Sequence, residues 1–311
     1  MTKKTIIILI IILTVGQLFA GCTNNAEKKA AVSIVTTIFP AYDFARAAAG
    51  DEASVSLLLP PGAEVHTFEP TARDMIKIQD CDLFIYNGGE SDEWVEKLLS
   101  SAEYKDLNTL CMTDLVDTYT EEIKEGMDAQ PEEEDEADEH VWTSPKNAVT
   151  IVSAIADKLS ALDTAHAAIY NENAEKYISQ LNALDSEFHA ISREITNPVL
   201  VFADRFPMRY FAEEYGFSYY AAFPGCSSQT EPSARTVSFL IEKVKAENIP
   251  AVFCIEFSNG KLADTICEET GAHKYMLHSC HNVTRDDFES GKTYVDLMRQ
   301  NIQTLKEAFG L

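Results

Sequence analysis

Short β-branched runs alternate with stretches of helical period along most of this chain, the signature of parallel α/β sheets. Strands are predicted over residues 33–38, 53–59 and 82–86, with a weaker one over 107–111. Helices are predicted over 39–49, where Gly50 ends the pattern, and over 71–80 and 91–100. Thr71 and Asp74 stand at the spacing of a capping box, and Ser144-Pro145 reads as a cap followed by a first-turn proline. The alternation resumes after residue 197, with strands at 199–202, 217–222, 251–255 and 274–277. Helices at 206–215, 232–247, 261–270 and 294–309 separate and follow them.

Between the two halves, residues 163–196 contain no glycine or proline. Tyr170, Ala174, Tyr177, Leu181, Leu184, Phe188, Ile191 and Ile195 follow one another at alternating steps of four and three, a single buried helical stripe. At about 1.5 Å per residue such a helix is a rod of roughly 50 Å. A coiled-coil dimer is the rival reading, but Tyr, Ala and Tyr in the stripe favour a helix that bridges two domains. The expectation is an α/β fold of two lobes, each a roughly four-stranded, mostly parallel sheet flanked by helices, joined by one long backbone helix. The N-terminal lobe is placed at 32–162, the linker helix at 163–196 and the C-terminal lobe at 197–311. No sequence repeat links the halves.

The first 22 residues change the picture of where the protein works. Lys3 and Lys4 precede an apolar run over 5–15, and small residues lead to Cys22. This reads as a secretory signal over 1–21, too short for a comfortable membrane span. A cysteine directly after Ala20-Gly21 resembles a bacterial lipobox, so Cys22 is the expected lipidation site and 22–31 a lipidated tether. A plain signal anchor with an incidental cysteine is the alternative. Without residues 1–21 the chain carries 23 Lys and Arg against 50 Asp and Glu, a net charge of −27. That charge argues against nucleic acid or an anionic membrane surface as partner. It favours cations within a screening distance of about 8–10 Å.

Eleven carboxylates against one lysine fill the acidic loop 121–139, which reads as solvated chain, with weak zinc collection as a second reading. Six cysteines remain after Cys22, none in a C-x-x-C pair. Cys226 and Cys280 are the disulfide candidates, with free thiols as the alternative. Four histidines lie in loops. His66 follows the strand at 53–59, at a carboxyl end where open α/β sheets place ligands. His140 stands between the acidic loop and a helix start, and His278-Ser279-Cys280-His281 follows the strand at 274–277. His166 and His189 fall off the apolar stripe of the long helix and read as surface residues, and His273 as structural.

Three blocks carry a family resemblance: residues 59–70 around His66, His140-Val-Trp142-Thr-Ser-Pro145, and 206–216 with Tyr210 and Tyr215-Gly216. They resemble the zinc/manganese-type substrate-binding lipoproteins of metal ABC transporters, the TroA-like family, over nearly the whole chain. The resemblance implies one metal held between two α/β lobes, with His66 and His140 as its first two ligands. It also implies a divalent metal ion, a permease with its ATPase, and a membrane reached through the lipid anchor as partners of a monomer. The family's third ligand position is Arg205 here, and a guanidinium cannot ligate. An ion pair to Glu256, Asp204 or the acidic loop is its expected role. The fourth position aligns with His278, and His281 lies close enough to fill the place Arg205 vacates.

The expected metal set is therefore His66, His140, His278 and His281, with Glu69 and Glu256 orienting ring nitrogens from outside it. Asp204 could serve as an oxygen ligand only with a backbone shift. So many imidazoles suit Zn²⁺ better than Mn²⁺, which prefers carboxylates and water, while Ni²⁺ and Cu²⁺ stay open. Capture of Zn²⁺ for delivery to a permease is the leading expectation, not an enzyme. An exported zinc hydrolase and an adhesin-like lipoprotein with structural zinc are the alternatives. No H-E-x-x-H or nucleophile elbow supports the hydrolase.

Overall fold

A computed structural model describes residues 32–128, 137–227 and 231–311. The signal, Cys22, the tether and residues 129–136 of the acidic loop lie outside the described residues. The first lobe comprises β1 (Val32–Thr36), α1 (Phe39–Ala49), β2 (Ala53–Leu57), α2 (Ala72–Gln79), β3 (Leu83–Tyr86), α3 (Glu93–Leu99), β4 (Thr109–Cys111) and α4 (Pro145–Leu162). The linker helix α5 (Ala167–Glu194) leads to β5 (Val199–Arg205), α6 (Arg209–Tyr215), β6 (Ser218–Phe223), α7 (Ala234–Glu247), β7 (Ala251–Cys254), α8 (Lys261–Thr270) and β8 (His273–Met276). A short α9 (Arg285–Glu289), which the periodicity does not reveal, precedes α10 (Tyr294–Phe309).

Both sheets are parallel, ordered β2-β1-β3-β4 and β6-β5-β7-β8. The second strand of each lobe thus lies outside the first, a shared topology without a shared sequence pattern. The central strands are buried on both faces and read as continuous apolar runs, as in Leu83–Tyr86 and Ala251–Cys254. Strand order reverses between β1 and β3 and between β5 and β7, which makes their carboxyl ends the natural ligand crevices. Thr71 and Asp74 close the capping box that their spacing predicts, and Ser144 caps α4 ahead of Pro145.

The linker helix is shorter than 163–196 and spans about 42 Å. Residues 163–166 instead form a turn in which Asp163 meets His166 Nδ1 at 2.6 Å and accepts from Tyr170 Oη at 2.9 Å. Every residue of the apolar stripe is buried, and its partners come from both lobes of this one chain. Tyr177 packs edge-on against Phe44 of the first lobe, and Phe188 against Phe211 of the second. This is the bridging helix, with its seam already filled. Tyr177 also donates to the buried Asp43 carboxylate at 2.5 Å, as does the backbone N–H of Tyr294 at 2.8 Å, so α1, α5 and α10 share one polar knot.

The acidic loop departs from expectation. Residues 121–128 leave the first lobe and lie on the second. Glu122 pairs with Arg209 of α6 at 2.5 Å and accepts from Tyr219 Oη at 2.9 Å. The Asp128 N–H reaches the Ala222 carbonyl at 2.9 Å. Gly126, at φ 93°, lies so close to the Phe239 ring that a side chain there would collide. An antiparallel bridge between Thr120 and Ala137 closes the excursion where it began. Burial of Glu121, Asp138 and Glu139 shows why a count of carboxylates misleads here: the ends of the run are folded structure. The cysteines depart as well, because Cys226 and Cys280 are both buried free thiols. Cys226 Sγ faces Glu121 Oε2 at 3.7 Å and Cys280 Sγ the His278 carbonyl at 3.8 Å.

Candidate metal centre

Three loops converge at the cleft between the lobes. His66 comes from the loop after β2, Glu139 and His140 from the segment before α4, and His281 from the loop after β8. One ligand atom of each, His66, Glu139, His140 and His281, lies within 4.8 Å of the others. The imidazoles meet at centroid distances of 6.2 Å (His66–His140), 5.5 Å (His66–His281) and 5.3 Å (His140–His281). They line a cavity of about 30 Å³, room for roughly one water or ion.

Each ring is held by its other nitrogen or by its backbone. Asp138 Oδ1 lies 3.0 Å from His140 Nδ1 and accepts the His140 N–H at 2.8 Å. In the neutral ring that carboxylate fixes the proton on Nδ1 and leaves the Nε2 lone pair free for a cation, which would displace any second proton. With Glu139 ionised, Ser91 Oγ donates its single proton to Glu139 Oε1 at 2.5 Å and lies 3.1 Å from His66 Nδ1, so Nδ1–H donates to it and His66 Nε2 is again the free atom. His281 is set by its N–H to Ser279 Oγ at 3.2 Å and by the Trp142 ring at 4.7 Å. Among the described residues the Nε2 atoms of His140 and His281 are buried without a hydrogen-bond partner. Buried polar atoms are almost always paired, so two such nitrogens facing one cavity point to a missing acceptor of lone pairs.

Two glycines permit this approach. A Cβ on Gly225 would stand 2.9 Å from the Phe206 carbonyl oxygen and 3.2 Å from the His140 ring. Gly89, at φ 82°, lets Glu139 pass where a Cβ would lie 2.6 Å from that side chain. Ser91 N–H and Asn87 Nδ2 then hold Glu139 through its carboxylate at 2.9 Å and its carbonyl at 3.0 Å.

The other expected site residues lie elsewhere. His278 does not join the group: its Nδ1 accepts the Cys280 N–H at 2.9 Å and lies 3.6 Å from Glu256. Glu256 accepts from Ser279 N–H and Oγ at 2.7 and 2.5 Å, shaping the loop that carries His281 rather than orienting a ligand ring. Glu69 is exposed, and the place near His66 expected for it belongs to Ser91. Asp204 accepts the Arg205 N–H at 2.9 Å and lines the adjoining cavity. Arg205 pairs with Glu64 at 3.1 Å, a partner outside the three considered from sequence. Glu139 escaped sequence reasoning because it sits inside a carboxylate run; its adjacency to His140 was the available signal. A second trio, Asp185, His189 and Glu214, lies part-exposed on α5 and α6. Tyr215 Oη donates to Asp185 at 3.0 Å and Lys146 lies 3.5 Å from Glu214, so its carboxylates have ordinary partners.

Burial, with the Arg205 charge and neighbouring imidazoles, holds His66 and His281 well below the ordinary range, so both rings are neutral and open to a cation. Burial alone would lower His140 too, but Asp138, Glu139 and Glu121 outweigh it and the net shift is upward. Burial raises Asp92 to about 6, Glu139 to about 7 and Glu121 to about 8. A raised folded-state pKa stabilises below the unfolded value, near pH 4 for a carboxyl, and that stability is lost as pH rises through the folded pKa. The depressed histidines act oppositely, but their contribution is complete above about pH 6.5. The metal-free protein should therefore melt at lower temperature at about pH 8.5 than at about pH 6.5. A level or rising melting temperature across that window would contradict these assignments.

Comparison with known proteins agrees with the geometry. Streptococcus pneumoniae zinc-binding lipoprotein AdcA is 33% identical over 290 residues, 92% of this chain and 58% of the relative, so the chain spans little more than half that protein. Bacillus subtilis high-affinity zinc uptake system protein ZnuA is 30% identical over 94% of this chain and 93% of its own length. The crystal structure of the Zn(II)-bound ZnuA-like domain of S. pneumoniae AdcA superposes with a TM-score of 0.75 at 32% identity, covering 90% of this chain and 99% of that one. The family profile described as ZnuA, zinc-uptake complex component A periplasmic, matches residues 34–308, and the chain belongs to that family.

Proposed function

We propose that this protein captures Zn²⁺ outside the cytoplasmic membrane in its inter-lobe cleft and delivers it to an ABC permease with its ATPase. The carrying observation is the pair of buried Nε2 atoms of His140 and His281, unpartnered among the described residues, beside His66 and Glu139. Three imidazoles and one carboxylate fit tetrahedral Zn²⁺ at about 2.0–2.1 Å from nitrogen. A chain of strongly negative net charge, whose Arg205 at the cavity is paired with Glu64, favours cation entry. Relatives named as zinc-binding lipoproteins and zinc-uptake components support the same cargo. Among the described residues no helix is long and apolar enough to cross a membrane, and lipidated Cys22 is the proposed anchor of a monomeric protein.

The test is a competition titration of metal-stripped protein beginning at Thr23. One equivalent of Zn²⁺ should bind tightly, with Mn²⁺ weaker by about 100-fold or more, as the Irving–Williams order and a nitrogen-rich shell require. Failure to bind stoichiometric Zn²⁺, or a preference for Mn²⁺, would overturn the reading.

A further inference from the structure

At the edge of the metal cavity, Arg205 from the end of β5 meets Glu64 from the loop after β2. Arg205 Nη2 lies 3.2 Å from Oε1 and 3.1 Å from Oε2 of Glu64, and Nη1 lies 3.2 Å from Oε1. Nη1 also donates to the Ser227 carbonyl at 3.3 Å, which fixes the guanidinium plane from the second lobe. The arginine side chain is 14% exposed and the glutamate 41%. Both residues line the metal cavity, and both line the adjoining, larger cavity of about 190 Å³. The ion pair is therefore a partition between the two spaces, with one half on each lobe.

The chemistry of a guanidinium in this place is specific. It cannot ligate, and unpaired it would repel an incoming dication. Bidentate pairing cancels the charge and adds directional bonds across the cleft. We propose that the Arg205–Glu64 pair is a positioning latch that holds the two rims together over bound metal and must open before the metal leaves. The inference rests on the zinc-capture reading. Because such a contact stands across the rim that the ion must pass to leave, its loss should appear chiefly in the dissociation rate, where most affinity differences between related complexes lie.

Release from zinc-loaded protein into excess chelator, followed by stopped flow, tests this in the wild type, Glu64→Gln, Arg205→Gln and the double variant. Each of the three variants should release zinc about five- to tenfold faster than the wild type, with the double variant no faster than the singles. If the pair were only a charge shield, the double variant, which carries neither charge, would release at the wild-type rate. That outcome, or a wild-type rate in Glu64→Gln, overturns the latch while leaving zinc capture intact. A wild type that binds no zinc removes the capture reading and the latch with it. Glu64 is exposed enough that its amide variant should fold, and an unchanged melting temperature of metal-free Glu64→Gln confirms that the rate reports on release.

Discussion

His281→Ala should weaken zinc binding by more than about 100-fold, whereas His278→Ala should leave it within about threefold. Removing a group that merely orients a ligand already lowers metal affinity about 10–100-fold, so loss of the ligand itself exceeds that range. His278 stands outside the four clustered side chains, and the loop that carries His281 is held independently by Glu256 and Ser279. Asn301 clamps the His278 backbone, accepting the N–H at 2.8 Å and donating to the carbonyl at 2.8 Å. Its Nδ1 is occupied by the Cys280 N–H, while His281 Nε2 faces the cavity and lies 3.9 Å from Glu139 Oε1. Competition titration of the two variants side by side decides the matter. The reverse ranking would restore His278 to the shell and remove His281.

Trp142→Ala should destabilise the metal-free protein by about 3–5 kcal/mol, the range for deleting a large aromatic from a packed core. The indole is fully buried, its Nε1–H donates to the Ser279 carbonyl at 2.8 Å, and its ring packs on His281. Tyr294 Oη anchors the Trp142 carbonyl at 2.7 Å. The residue thus ties the segment of His140 to the loop of His281, and its removal also leaves the Ser279 carbonyl without this donor. Urea unfolding should show the loss in midpoint. Trp142→Phe, which keeps most of the packing, should lose less than half as much. Equal losses in the two variants would assign the energy to the indole N–H rather than to packing.

Most of the scaffold is visible in the chain's periodicities, because propensity, capping and burial agree there. The capping box at Thr71, the Ser144-Pro145 start and the apolar stripe of the linker helix all recur in the structure. The site was legible only in part, for geometric reasons. His278 and His281 are three residues apart, and nothing local says which one faces the cleft. The left-handed turn at Cys280, φ 63°, separates their environments, and no glycine marks it. Glu64 and Arg205 are 141 residues apart, a pairing that only the approach of two lobes creates. Glu139 illustrates a different limit. A run of like charges predicts solvation on average, but a single buried member is decided by the serine, asparagine and glycine that happen to meet it.

The excursion of residues 121–128 onto the second lobe has a mechanical consequence. Two bodies joined by one strut can swing about it, while a further link displaced from the strut closes a circuit and removes rotational freedom. Glu122 on Arg209 and Asp128 on Ala222 supply that further link, the second of them on β6 rather than on α5. Under the proposed function, loading and unloading of the cleft would then fall to motions with short lever arms, such as side-chain swings and shifts of the loops that bear His66 and His281. A partner protein that senses occupancy would meet a change in the relief of the cleft's rim more than a change in the angle between the lobes.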